Sequence, residues 1–126
     1  MEIYCGKCNE KLTAAPLVHA DAAKIRREDQ EQLLDDGQFL TADEFEFSFG
    51  VPVTHFVGTN SLLLNDHEDV LRHQGCCGPG MTNKYNKVCW NCKYEIGIIF
   101  ADCYGPHFVA INSDRLNTTR HHEPNP

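Results

Sequence analysis

Cys89-Trp-Asn-Cys92 repeats, late in the chain, the spacing of Cys5-Gly-Lys-Cys8 near its start. The pair of turns is the pattern of a four-cysteine zinc site. Two intervening residues let both sulfurs of one turn face a common point, and two such turns brought together supply the four tetrahedral ligands of a structural zinc. A single Cys-x-x-Cys would suit a redox pair, and two disulfides or idle thiols are the bland alternative. Two equal turns in a chain of 126 residues point instead to one ion that ties the N-terminus to the C-terminal third. Cys5, Cys8, Cys89 and Cys92 are the expected zinc ligands.

The length suits a single core, read as one zinc-stabilised domain over residues 1–116 with a polar tail over 117–126. Apolar residues make up 41% and charged residues 23%, the balance of a soluble globular chain rather than a disordered one. The longest apolar run, Ile96 to Ala101, is too short to span a bilayer, and the first twenty residues lack an apolar stretch of signal-peptide length. Seven cysteines, an odd number, fit a reducing compartment in which thiolates bind metal. The expected location is the cytoplasm. The formal charge is −7, and four thiolates with one divalent zinc would take it to −9. With eleven basic against eighteen acidic residues, and no basic cluster beyond Lys24, Arg26 and Arg27, nucleic acid is an unfavourable partner and a basic protein surface a favourable one.

Outward from the two turns, residues 2–13 read as a zinc knuckle on a hairpin. Tyr94 to Ala101 and His107 to Ile111 read as apolar strands, and Lys84 to Val88 as the approach to the second knuckle. Phe45, Phe47 and Phe49 alternate with polar residues, which predicts a half-buried strand with its rings in the core. Val51 to Val57 continues as an extended piece with a bend at Pro52. Asp21 as N-cap and Gly37 as stop predict a surface helix over Ala22 to Asp36, with one thin apolar stripe. A two-turn helix is predicted over Asp66 to His73, opened by Asn65 and Glu68. Gly75-Cys76-Cys77-Gly78-Pro79-Gly80 must be a loop. The fold class is thus mainly β with short helices (α+β), an antiparallel sheet held by the four-cysteine site.

Two knuckles on hairpins, followed by strands, resemble the β-tent of yippee-like proteins and B-type methionine sulfoxide reductases. The order of Cys89-x-x-Cys92, Ile96-Gly97, Phe100, Asp102, Ile111-Asn112-Ser113 and Leu116 is similar to the C-terminal pattern of the reductases, and Cys5-x-x-Cys8 with Leu12 adds the first half. The resemblance covers about a third of the chain. It places Ala110 where the reductases carry their nucleophilic cysteine, and Glu95 and Ile98 where their histidines stand. It therefore implies the fold without the sulfoxide chemistry.

Cys76, Cys77 and Cys103 remain, with three readings open. They are small buried apolar groups; or Cys76 or Cys77 joins Cys103 with His73 or His107 in a second metal site; or one is a nucleophile or redox centre, with backbone N–H groups of the glycine loop lowering its pKa and His107 as base. Adjacent Cys76 and Cys77 make a poor structural disulfide but could form a switch. His19, His55 and His67 stand alone and read as structural, and His121 and His122 as solvated. No serine-triad, phosphate-loop, His-Glu-x-x-His or dinucleotide pattern is present. The function expected first is a non-catalytic binding or adaptor module that engages a basic protein such as a toxin. A thiol-dependent redox enzyme or sensor on Cys103 with Cys76 or Cys77, and a metal-responsive protein with a second ion, are the alternatives.

Overall fold

β-branched and apolar runs supply the centre of the sheet. The computed structural model describes residues 1–118 and contains nine short strands. These are β1 (Tyr4–Cys5), β2 (Val18–His19), β3 (Gln38–Thr41), β4 (His55–Val57), β5 (Leu64–Asp66), β6 (Lys87–Cys89), β7 (Glu95–Phe100), β8 (Phe108–Ile111) and β9 (Leu116–Asn117). Seven form one sheet in the order β2-β3-β4-β8-β7-β6-β5, antiparallel throughout except for the β2/β3 pair. The other two, β1 and β9, pair antiparallel as a separate ribbon, with Tyr4 opposite Asn117 and Cys5 opposite Leu116. Asn117, where the expected polar tail starts, pairs with Tyr4 in this ribbon, and residues 119–126 of that tail lie outside the described residues. His121 and His122 lie outside the described residues. Among the described residues, no helix is long and apolar enough to cross a membrane.

All four residues of β8 are buried, since the strand lies between β4 and β7 and carries core on both faces. Val109 and Ile111 pack with Ile3, Leu12, Val57 and Ile96 in one cluster, which also contains Cys5 and Cys89. Phe108 and Ala110 face the other side, with Leu33, Leu34, Leu40, Phe56 and Phe100. This alternation is the period of two expected of a strand. Gly97 permits the close approach of β7 to β8: a Cβ there would lie 2.3 Å from the carbonyl oxygen of Ala110.

The strand expectations for 94–101 and 107–111 hold, but three others need correction. Residues 22–36 form only a 3-10 turn over Ala22–Lys24, capped by Asp21, whose carboxylate accepts the Ala23 N–H at 3.0 Å. Leu33 and Leu34 are both buried, a demand that one thin helical stripe cannot meet because successive helical side chains point about 100° apart. The backbone pairs elsewhere instead: Leu33 N–H donates to the His107 carbonyl, His107 N–H to that of Glu31, and Arg26 N–H to that of Leu33. Gly37 does take a positive φ, 87°, but closes a turn before β3. The second predicted helix is replaced by β5, which ends at Asp66, and by a 3-10 turn over Val70–His73 with Asp69 as its cap. Residues 45–49 join no strand, yet their rings do enter the core. Phe47 stands 4.9 Å from Phe100 and 5.1 Å from Phe108, centroid to centroid.

Candidate metal centres

Both Cys-x-x-Cys turns have the same backbone geometry. The residue two after the first cysteine donates its N–H to that cysteine's sulfur at 3.4 Å: Lys7 to Cys5, and Asn91 to Cys89. The residue four after it returns its N–H to the cysteine carbonyl, at 2.9 Å for Asn9 and 3.0 Å for Lys93. Both of those residues have positive φ, 63° and 64°. The cysteine's own N–H then bonds the carbonyl five residues on, Cys5 to Glu10 and Cys89 to Tyr94, each at 2.9 Å. Such N–H groups aimed at a sulfur stabilise it as a thiolate.

The fold brings the two turns face to face. The first stands on β1 and its return segment, with Leu12 N–H donating to Ile3; the second stands at the β6–β7 hairpin. All four Sγ atoms lie within 4.8 Å of one another, with Cys5 to Cys92 at 3.6 Å and Cys8 to Cys89 at 3.7 Å. A disulfide requires about 2.05 Å, whereas a tetrahedron of sulfurs each about 2.3 Å from zinc has edges of about 3.8 Å. The four cysteines are therefore spaced to hold a metal ion and not to bond each other in pairs. Burial pushes the Cys89 thiol up to about 12 and also raises Cys92. Burial acts the same way on Cys8, but hydrogen bonds from Asn91, from Glu10 and from the Cys92 and Cys89 thiols outweigh it and bring that group down to about 7. A cation at the centre would draw all four to the thiolate form.

Two side chains that sequence reasoning missed join the knuckles. Arg115 donates from Nε to the Glu95 carbonyl at 2.6 Å and lays its guanidinium 4.6 Å from the Tyr94 ring centroid and 5.1 Å from that of Tyr85. Its own carbonyl accepts the Gly6 N–H of the first knuckle at 2.9 Å. Trp90, within the second knuckle, donates its indole N–H to the Lys11 carbonyl of the first hairpin at 3.2 Å. An arginine between two aromatic residues in space has no signature in the sequence, whereas Trp90 inside the cysteine turn could have been noticed.

A second group gathers Cys76, Cys77 and Cys103, whose sulfurs also lie within 4.8 Å of one another. Asp102 organises it. Its carboxylate accepts the N–H of Cys77 at 2.9 Å, of Cys76 at 3.1 Å and of Cys103 at 2.7 Å, so that one buried side chain holds the backbones of all three cysteines. These N–H groups, that of Cys77 first, hold the Asp102 carboxyl below the usual carboxylate range. The glycine loop closes tightly on it. A Cβ at Gly75 would lie 1.8 Å from the Gly78 carbonyl oxygen, and one at Gly80 2.6 Å from Asp102 Oδ2. The Cys103 thiol is pushed up to about 12, first by the Cys77 thiol and then by burial, with the Asp102 carboxylate adding to the effect.

His73 and His107, read from the sequence as further ligands, do not enter this group. Each ring is already engaged: His107 Nε2 donates to the Asp102 carbonyl at 3.0 Å, and His73 Nε2 to that of His67 at 3.0 Å. Nor are the three thiols the buried apolar residues of the structural reading, since Cys76 and Cys77 are exposed and Cys103 is half-buried. Ala110 is fully buried within β8. Together these features define the class: a mainly β protein with two separate cysteine clusters, each able to hold a metal ion. The chain matches no family model, no curated protein and no solved structure.

Proposed function

We propose that this chain is a non-catalytic, metal-responsive protein, in which a zinc ion on Cys5, Cys8, Cys89 and Cys92 locks a β-tent and a thiophilic ion bound by Cys76, Cys77 and Cys103 is the signal or cargo. The observation that carries this reading is the single carboxylate of Asp102 accepting an N–H from each of the three outlying cysteines. Nothing in the packing of the core requires three thiols to be drawn together at an exposed loop. A preformed set of soft ligands with an open approach is what capture of a soft metal ion requires.

The thiol-enzyme reading has less support at Cys103, because a nucleophilic cysteine needs its pKa lowered while the neighbouring Cys77 thiol and burial raise that of Cys103. The adaptor reading with a basic partner rests on net charge alone, and charge speaks to association in general rather than to one partner. Zinc contributes structure here: it neutralises part of the sulfur charge and joins two distant hairpins, with no open ligand position at which a substrate could bind. The test is stoichiometry. Protein loaded with cadmium, a thiophilic probe ion, should hold two ions per chain, and the Cys103→Ser variant one, with unchanged secondary structure by circular dichroism. Equal metal content in the two proteins would refute a second site.

A further inference from the structure

The three-thiol cluster offers three sulfurs, with the Asp102 carboxylate beside them already bound to three N–H groups. Among the described residues no carboxylate or imidazole completes it: both oxygens of Asp102 are committed to N–H groups, and the nearby His107 ring to a carbonyl. Zinc prefers four ligands and would have to complete its shell with water. The charge balance differs as well. Three thiolates around a monovalent ion leave two negative charges and around a divalent ion one, set beside the buried Asp102 carboxylate on a chain of formal charge −7. Around a trivalent ion the complex is neutral. The ion that suits three sulfurs, an empty fourth position and a neutral total is a trivalent one whose own lone pair occupies that position.

We propose, resting on the metal-responsive reading above, that Cys76, Cys77 and Cys103 bind trivalent arsenic taken up as arsenous acid. As(OH)3 is uncharged in neutral water and condenses with three thiols. Three As–S bonds form as three As–O bonds and three S–H bonds break, each hydroxide leaving with one thiol proton as water. Three waters depart and no proton is released, so no oxidant, reductant or base is needed. Exposed Cys76 and Cys77 provide the entry and a two-point chelate, and half-buried Cys103 closes the third bond. The tight loop over Asp102 holds the three sulfurs together before the ligand arrives, which lowers the ordering cost of capture.

The test uses the zinc-loaded full chain and arsenite. One arsenic per chain is expected, with three fewer thiols titratable by a disulfide reagent, the zinc content unchanged, and an arsenic X-ray absorption spectrum showing three sulfur neighbours and no oxygen. Cys103→Ser and Cys76→Ser should each weaken binding at least tenfold while keeping the zinc and the circular dichroism of the parent. Arsenic uptake that expels zinc, or that is equally tight in both variants, overturns the assignment. Protection of the three thiols by cadmium but not by arsenite would overturn the arsenic assignment and leave the metal-responsive reading standing, whereas protection by neither would end both.

Discussion

Replacing Arg115 by alanine should weaken metal binding at the four-cysteine group although Arg115 touches no sulfur. Its side chain gives a charged hydrogen bond to the Glu95 carbonyl, a type worth about 1.5–3 kcal/mol. It also makes two ring contacts, with Tyr94 and Tyr85, each worth about 0.5–1 kcal/mol at a partly exposed site. These contributions are not additive and the group is only half-buried, so the expected loss is about 2–3 kcal/mol. The Arg115 carbonyl remains to accept from Gly6, so the chain path of the ribbon survives. Metal binding and the joining of the two knuckles are one equilibrium, and the loss should therefore be read in metal affinity as well as in stability. At about 1.4 kcal/mol per tenfold, a zinc ion loaded on the four cysteines should transfer to a competing chelator about thirty- to a hundred-and-fortyfold more readily. The assay is a chelator titration of Arg115→Ala beside the parent, followed by denaturant unfolding of both in zinc. Unaltered zinc retention would refute the idea that this side chain staples the knuckles.

Cys89→Ser should remove a contribution on the order of 10 kcal/mol, comparable with the whole stability of a small domain; a variant with the parent's metal content and melting temperature would contradict the zinc lock. Phe108→Ala should lower stability by about 3–5 kcal/mol, since its fully buried ring contacts those of Phe45, Phe47, Phe49, Phe56 and Phe100, and a denaturation midpoint within error of the parent would show that cluster to be dispensable. Gly97→Ala should cost about 1–3 kcal/mol through overpacking, because the new methyl meets the Ala110 carbonyl oxygen; unfolding in urea reads it directly. Burial lowers the His55 pKa below its ordinary 6.5, so the folded state favours the neutral ring. This stabilisation is full above pH 6.5 and is lost as the pH falls through the lower folded value. His55→Gln should therefore show a shallower fall in stability between pH 7 and pH 5 than the parent, and identical slopes would dismiss the effect.

What could be read from the residues was what depends on spacing and on strand periodicity. The repeated two-residue gap fixed all four members of the first cluster, and the apolar runs gave β7 and β8, because both are local patterns. The segment around Leu33 was opaque for a physical reason: its helix-forming composition expresses a weak preference, and hydrogen bonds to residues near His107 override it. The phenylalanines of 45–49 showed their burial but not their lack of a ladder partner, since pairing is decided by distant residues. The three-thiol cluster was half legible. The chemistry of its cysteines marks a possible site and invites the histidines into it, but no local pattern singles out Asp102, directly before Cys103, as the group that organises it.

The long reach between the two knuckles has a consequence for biosynthesis. Cys5 and Cys92 are separated by 87 residues, so at ribosomal speeds of about 5–20 residues per second the first thiol pair waits roughly 4–17 s for its partner to be made. During that interval an ion near the first turn can find only two of its four sulfur ligands, and the site closes only when Cys89 and Cys92 arrive.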